Sequence, residues 1–314
     1  MIQRPAFFWQ QQDGDMKIKD WIRYRDEAPH ATMLGIPFAR ASISASGAAE
    51  FPNAFRRTWD TLTPYYVDEG IDFSDYRVAD VGDVTLHATD VAASHDTIEQ
   101  AMTHIMNTYP NSVYTTVGGD HSITAPLVRA LKAANPSKKI GIIQFDTHFD
   151  LRDFSNGRTN GTPIRQLVEE NIVEGKHVVN IGPHGFFNAR SLIDAANAHG
   201  VHIIPLKKMR QLGIRETIQH ALDVLRDIDL LYVTVDIDVL DIAYAPGVPS
   251  ATAGGMRSDE LFDLLFEVGQ HDVAAIDFVC IDPLRDVAQM TVKATAYAYF
   301  TFIAAQSRRT KKLR

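Results

Sequence analysis

Apolar runs and amphipathic stretches alternate along most of this chain. Residues 32–38 (TMLGIPF), 77–84, 112–117, the run Ile142-Ile143-Gln144-Phe145, 177–182, 201–206, the run from Leu230 to Val235, and 273–281 each read as a short buried strand. Between them the spacing predicts helices from 52 to about 59, 94 to about 107, 122 to about 134, 162 to 170, 186 to 198, 215 to 226, 258 to 269 and 287 to about 305. Ser94 is a reasonable N-cap for the second of these helices. The strand runs are continuously apolar rather than alternating, as strands are when both faces are covered. The expectation is an α/β protein with one parallel sheet between helix layers. No linker, repeat or low-complexity block divides it, so 1–314 is expected to be one domain. Residues 1–30 read as a loose peripheral arm and 307–314 as a basic, frayed tail.

Several of the strand runs end in polar side chains of one kind. After Phe145 come Asp146, His148 and Asp150, at alternate positions that an extended backbone turns to one side. After Val235 come Asp236 and Asp238, and after Val117 the chain reads Gly118-Gly119-Asp120-His121. A strand end with a capping Asp and a surface His would explain one such stretch, but three of them at the same end of parallel strands form a cluster. Carboxylates at buried strand ends need a counter-charge, which a divalent metal supplies. His121, Asp146, His148, Asp150, Asp236 and Asp238 exceed the needs of one tetrahedral ion. They suit two hard ions about 3.5–4 Å apart, sharing carboxylates. An oxygen-rich set without thiolate favours manganese over structural zinc.

Composition narrows the functions. The 314 residues are 45% hydrophobic and 22% charged, with a net charge of −8, which argues against binding nucleic acid or an anionic membrane. No run approaches a membrane span, and the first residues lack the apolar core of a signal peptide. The one cysteine, Cys280, excludes an intrachain disulfide and fits a cytoplasmic protein.

In their order in the chain, Gly118-Gly119-Asp120-His121, Asp146-Thr147-His148-Phe149-Asp150 and Asp236-Ile237-Asp238-Val239-Leu240-Asp241 resemble the ureohydrolase (arginase/agmatinase) family, over about residues 32–300. Within it the chain is most similar to formimidoylglutamases, through Ser42-Ile43-Ser44-Ala45-Ser46-Gly47-Ala48, Asp150-Leu151-Arg152-Asp153 and Thr159-Asn160-Gly161-Thr162-Pro163. The resemblance implies an arginase-like three-layer αβα sandwich, two Mn2+ per chain, a small amidine or guanidine substrate and often a homo-oligomer. It gives one ion His121, Asp146, Asp150 and Asp236, and the other His148, Asp146, Asp236 and Asp238. It makes Asp150 the proton carrier to the leaving amine.

Other positions depart from the family or have two readings. Cys280 stands where the family usually places a glutamate that pairs with the cationic substrate; it is either the floor of the substrate site or a small core residue. Asn160 stands where arginases carry a histidine proton shuttle, and it counts as a substrate-site candidate. His184 either touches substrate or is a hydrogen-bonded loop residue. Arg152 either grips a substrate carboxylate through its fork, or pairs with Asp153 or anchors its loop. Asp120 is expected to orient His121, and Asp241 to shape its own loop. The leading expectation is a formimidoyl-glutamate hydrolase giving glutamate and formamide. The alternatives are a guanidino-compound hydrolase releasing urea and a metal-retaining, inactive partner subunit.

Overall fold

The computed structural model describes residues 14–313. Its strands are β1 (Arg23–Tyr24), β2 (Ala31–Gly35), β3 (Tyr65–Tyr66), β4 (Ile71–Asp72), β5 (Val78–Asp83), β6 (Val113–Val117), β7 (Ile140–Phe145), β8 (Val178–Ile181), β9 (His202–Ile204), β10 (Leu230–Asp236) and β11 (Val273–Val279). The helices are α1 (Ile18–Trp21), α2 (Phe51–Arg57), α3 (Val91–Thr108), α4 (Thr124–Ala134), α5 (Pro163–Glu169), α6 (Arg190–His199), α7 (Leu206–Leu212), α8 (Ile214–Val224), α9 (Ser258–Gly269) and α10 (Met290–Lys312).

Nine strands form one sheet in the order β1-β5-β2-β6-β11-β10-β7-β8-β9, with every ladder parallel. β3 and β4 pair separately as an antiparallel hairpin. The continuous apolar runs have a direct cause. On β7, Ile143 and Phe145 enter one core with α2, α8, α9 and α10, while Ile140 and Ile142 enter a second core with α3, α4 and α5. Both strand faces are therefore dry, which gives the expected three layers. The chain passes from β6 to β7 and later returns to fill the space between them with β11 and β10. Such a reversal opens a crevice beyond the carboxyl ends of the strands, and it lies at the middle of the sheet.

The structure corrects several expectations at element ends. Part of the expected loose arm is built into the body: Ile18 and Trp21 are buried in the core, Trp21 Nε1 donates to the Ser74 carbonyl at 3.0 Å, and β1 pairs with β5. Residues 1–13 of that arm lie outside the described residues. Most of the expected frayed tail is helix, because Arg308 pairs with Glu69 and Arg309 with Asp272, each at 2.8 Å. The N-cap of α3 is Asp90, whose side chain accepts from Ala93 N at 2.9 Å, and Ser94 lies inside the first turn. The strand expected over 201–206 stops at Ile204; Pro205 starts α7, which the sequence reading missed. Among the described residues, no helix is long and apolar enough to cross a membrane.

Candidate metal centre and active site

Four central strands carry the site at their carboxyl ends. Val235 of β10 pairs with Phe145 of β7, so Asp236 and Asp146 emerge side by side. β6 is followed by Gly118 and Gly119, at φ of +100° and +87°. A Cβ on Gly118 would lie 2.6 Å from the Pro52 ring, and one on Gly119 2.9 Å from Ile123, so only glycine makes this turn. The turn delivers His121 to the crevice at the start of α4.

All six sequence-predicted ligand residues converge there. His121 Nδ1 lies 2.7 Å from Asp150 Oδ2 and 3.2 Å from both Asp146 Oδ2 and Asp236 Oδ2. His148 Nδ1 lies 3.0 Å from Asp238 Oδ2 and 3.5 Å from Asp146 Oδ1. The two oxygens of Asp146 thus face different imidazoles. His121, Asp146 and Asp150 form one group spaced to hold a metal ion, Asp146, His148 and Asp238 a second, and Asp146 belongs to both.

The electrostatics agree with a cation site. The four carboxylates are buried, and no Lys or Arg pairs with any of them among the described residues. His121 Nδ1 is buried, and none of its carboxylate neighbours is aligned for an N–H···O bond. A ring nitrogen aimed into a nest of anions without such a bond is the donor arrangement that a divalent cation completes. Burial opposes charge on His148, yet Asp238 and Asp146 hold its imidazolium up to about 12. Burial, then the charge of Asp146, pushes Asp150 up to about 7. Protons thus supply the counter-charge that ligand carboxylates and imidazoles give up to a metal. Two residues here, Asp150 and Cys280, have left-handed backbones, at φ of +53° and +67°. Such outliers concentrate where the surroundings overdetermine a functional geometry.

The cluster floors a cavity lined by Ile43, Ser44, Arg152, Asn160, Phe187, Asn188, Pro249, Ser250 and Cys280. Arg152 is the one arginine or lysine among its lining residues, and among the described residues no carboxylate pairs with it. The alternative partner, Asp153, instead accepts from Ser155 N at 2.9 Å. The Arg152 side chain lies against Gly161, where a Cβ would come within 2.7 Å of its Cδ. Cys280 fits both of its readings at once: it is buried and lines the cavity, and burial together with the charges of Asp236 and Asp238 pushes its thiol up and keeps it protonated.

Three expectations change. His184 does not line the cavity: its Nδ1 is 2.9 Å from the Gly182 carbonyl and its Nε2 2.9 Å from Thr252 Oγ1, so both ring nitrogens are engaged in loop structure. Asp120 does not contact the His121 ring; it accepts from Ser122 N and Ala41 N, each at 3.0 Å, and so anchors the 41–48 loop. Asn160 lines the cavity but is also a clamp, accepting from Ile43 N at 2.9 Å. Asp241 shapes its loop by accepting from Ala243 N and Gly254 N.

The sequence reading missed several supports. Gln144 donates to Asp146 at 2.7 Å and to Asp150 at 3.2 Å, and its place two residues before Asp146 on one strand face was a usable signal. Thr234 reaches His121 Nε2 at 2.9 Å. Asn188 donates to the Thr147 carbonyl at 2.8 Å and accepts from Phe149 N at 3.1 Å, from a loop the sequence had assigned to helix. No sequence signal pointed to Asn188.

The sheet with this cluster at its switch point, taken with the relatives it matches, makes the chain a metal-dependent hydrolase that acts on C–N bonds. Residues 29–304 match the arginase family, and the chain belongs to it. It is 37% identical to the formimidoylglutamase of Halalkalibacterium halodurans over 274 residues, which cover 86% of this chain and 85% of that one. The crystal structure of formimidoylglutamase from Bacillus subtilis superposes with a TM-score of 0.91 at 32% identity, covering 98% of this chain and 96% of that one. Trypanosoma cruzi formiminoglutamase with Mn2+ superposes with a TM-score of 0.86 at 25% identity, covering 94% of this chain and 99% of that one.

Proposed function

We propose that this protein hydrolyses formimidoyl-glutamate to glutamate and formamide at a centre holding two manganese ions. The observation that carries this reading is the six-residue cluster beneath a cavity whose one arginine, Arg152, has no carboxylate partner among the described residues. His121, Asp146, Asp150 and Asp236 would hold one ion, and His148, Asp146, Asp236 and Asp238 the other. The division of the Asp146 oxygens between the two imidazoles supports its shared role. When bound, the two cations supply a water acidified to a nucleophile near neutral pH and an electrophile for the amidine.

The chain's own groups do the rest. Asp150 sits at the cavity floor, where it would hold a proton and pass it to the leaving nitrogen. The Arg152 fork would take a carboxylate of the glutamate in two parallel hydrogen bonds and so set the length of substrate that reaches the centre. Phe187 and Ile43 supply apolar cavity wall that limits water. Cys280 offers the amidine a neutral wall rather than an ion pair. The reading carries with it a cytoplasmic homo-oligomer, in line with a single thiol.

The test is a manganese-reconstituted assay on formimidoyl-glutamate and a set of guanidino acids, scoring formamide, urea and free amine together. Formamide and glutamate in equal amounts are expected. Urea from a guanidino acid alone, or no turnover in fully metallated protein, would refute the assignment.

A further inference from the structure

Asp277 is a wholly buried carboxylate in the middle of β11 that stands outside the metal cluster. Thr234 donates to its Oδ1 at 2.6 Å, while Tyr232 and Thr124 donate to its Oδ2 at 2.6 and 2.8 Å. Three hydroxyl donors around two oxygens are the surroundings of an ionised carboxylate, and each hydroxyl has only one proton to give. Thr234 Oγ1 also lies 2.9 Å from His121 Nε2. Its proton is committed to Asp277, so toward His121 it can only accept. The contact between Thr234 and Thr124 is longer, at 3.4 Å, and both of those hydroxyl protons already point at Asp277. The hydrogen on this side of the ring must therefore belong to Nε2.

A neutral imidazole with its hydrogen on Nε2 keeps its lone pair on Nδ1. Nδ1 is the atom that faces Asp146, Asp150 and Asp236. We propose that Asp277, acting through the Thr234 hydroxyl, positions His121 by fixing both its tautomer and its ring plane toward the metal centre. The opposite tautomer would turn an N–H toward the cation and remove that ligand. The relay ties β10, β11 and the start of α4 to one carboxylate, so it also sets the distance between the strands that carry the cluster. It rests on the reading of His121 as a metal ligand.

The experiment compares Thr234→Val, which keeps the shape but has no oxygen, with Thr234→Ser, which keeps the oxygen, and with His121→Ala. Mn2+ binding is measured by equilibrium dialysis and electron paramagnetic resonance, with the thermal transition of each metal-free protein as the check on folding. Thr234→Val is expected to bind one ion normally and the other about 10–100-fold more weakly, the usual loss for an orienting partner of a ligand, with Thr234→Ser within about threefold of wild type. Wild-type affinity for both ions in Thr234→Val, or equal weakening in the valine and serine variants, overturns the relay and leaves His121 a ligand. Undiminished binding of both ions in His121→Ala overturns the ligand assignment itself. If Thr234→Val does not fold, Thr234→Ala, which adds no methyl against the ring, replaces it in the same comparison.

Discussion

Arg152 is exposed at the cavity wall, with no anion among the described residues to neutralise it. On the function proposed above, that freedom at the cavity wall suits a fork that takes a substrate carboxylate. Arg152→Leu is expected to raise KM for formimidoyl-glutamate by about 10–100-fold, the 1.5–3 kcal/mol of a hydrogen bond to a charged group. A neutral amidine of the same length should show almost no change. Equal losses on both substrates would mean that Arg152 only shapes the wall against Gly161. At the cluster, Asp146→Ala should strip both ions because its two oxygens face both halves of the site, whereas His148→Ala should cost mainly one. Metal analysis that finds two ions still bound in Asp146→Ala contradicts the shared role.

Among the elements, the 41–48 loop shows how the wall is made. It has little secondary structure of its own, and its backbone is held by side chains from distant parts of the chain: Asp120 takes Ala41 N, Asn160 takes Ile43 N and Asp282 takes Gly47 N at 2.8 Å. Asn160→Ala is expected to raise KM about 3–10-fold through loss of one hydrogen bond worth 0.5–1.5 kcal/mol, with kcat nearly constant. A fall in kcat at constant KM would instead assign Asn160 to proton transfer. These clamps were invisible in the sequence, because the partners are up to 235 positions apart and each is a common turn residue. The ligand strands were legible for the opposite reason. Buried on both faces, β7 and β10 are apolar runs that stop at Asp146 and Asp236; the alternation read beyond them picked residues that do converge, although the strands end there, Asp150 turning at φ +53° and Asp238 lying in a short 3-10 turn. His184 kept two readings because a histidine after a strand looks the same whether it faces a cavity or, as here, Gly182 and Thr252. Asp277 and Thr234 did leave a trace, as polar residues inside apolar runs. Two of the groups they join, though, His121 and Thr124, lie 113 and 153 positions away at the start of α4.

For the whole molecule, the centre is a concentration of buried negative charge that bound metal would relieve. Asp146, Asp150, Asp236 and Asp238 are buried together at the switch point, where the ends of β7 and β10 would repel one another without a cation. The chain already carries a net charge of −8, so no distant excess of positive charge relieves them. Two bound divalent ions should therefore stabilise the fold as well as serve the reaction. Ligand binding to the native state alone adds about 2.7 kcal/mol per site at a hundredfold excess over Kd. In a large domain each kcal/mol moves Tm by about 2–4 °C. Removal of metal with a chelator should lower Tm by several degrees, and added Mn2+ should restore it in a concentration-dependent way. The same titration on Asp146→Ala should show almost no Mn2+-dependent rise, while His148→Ala should keep roughly half of it. If wild-type Tm is the same in chelator and in saturating Mn2+, the carboxylates are neutralised by protons alone and the cluster is not a structural metal centre.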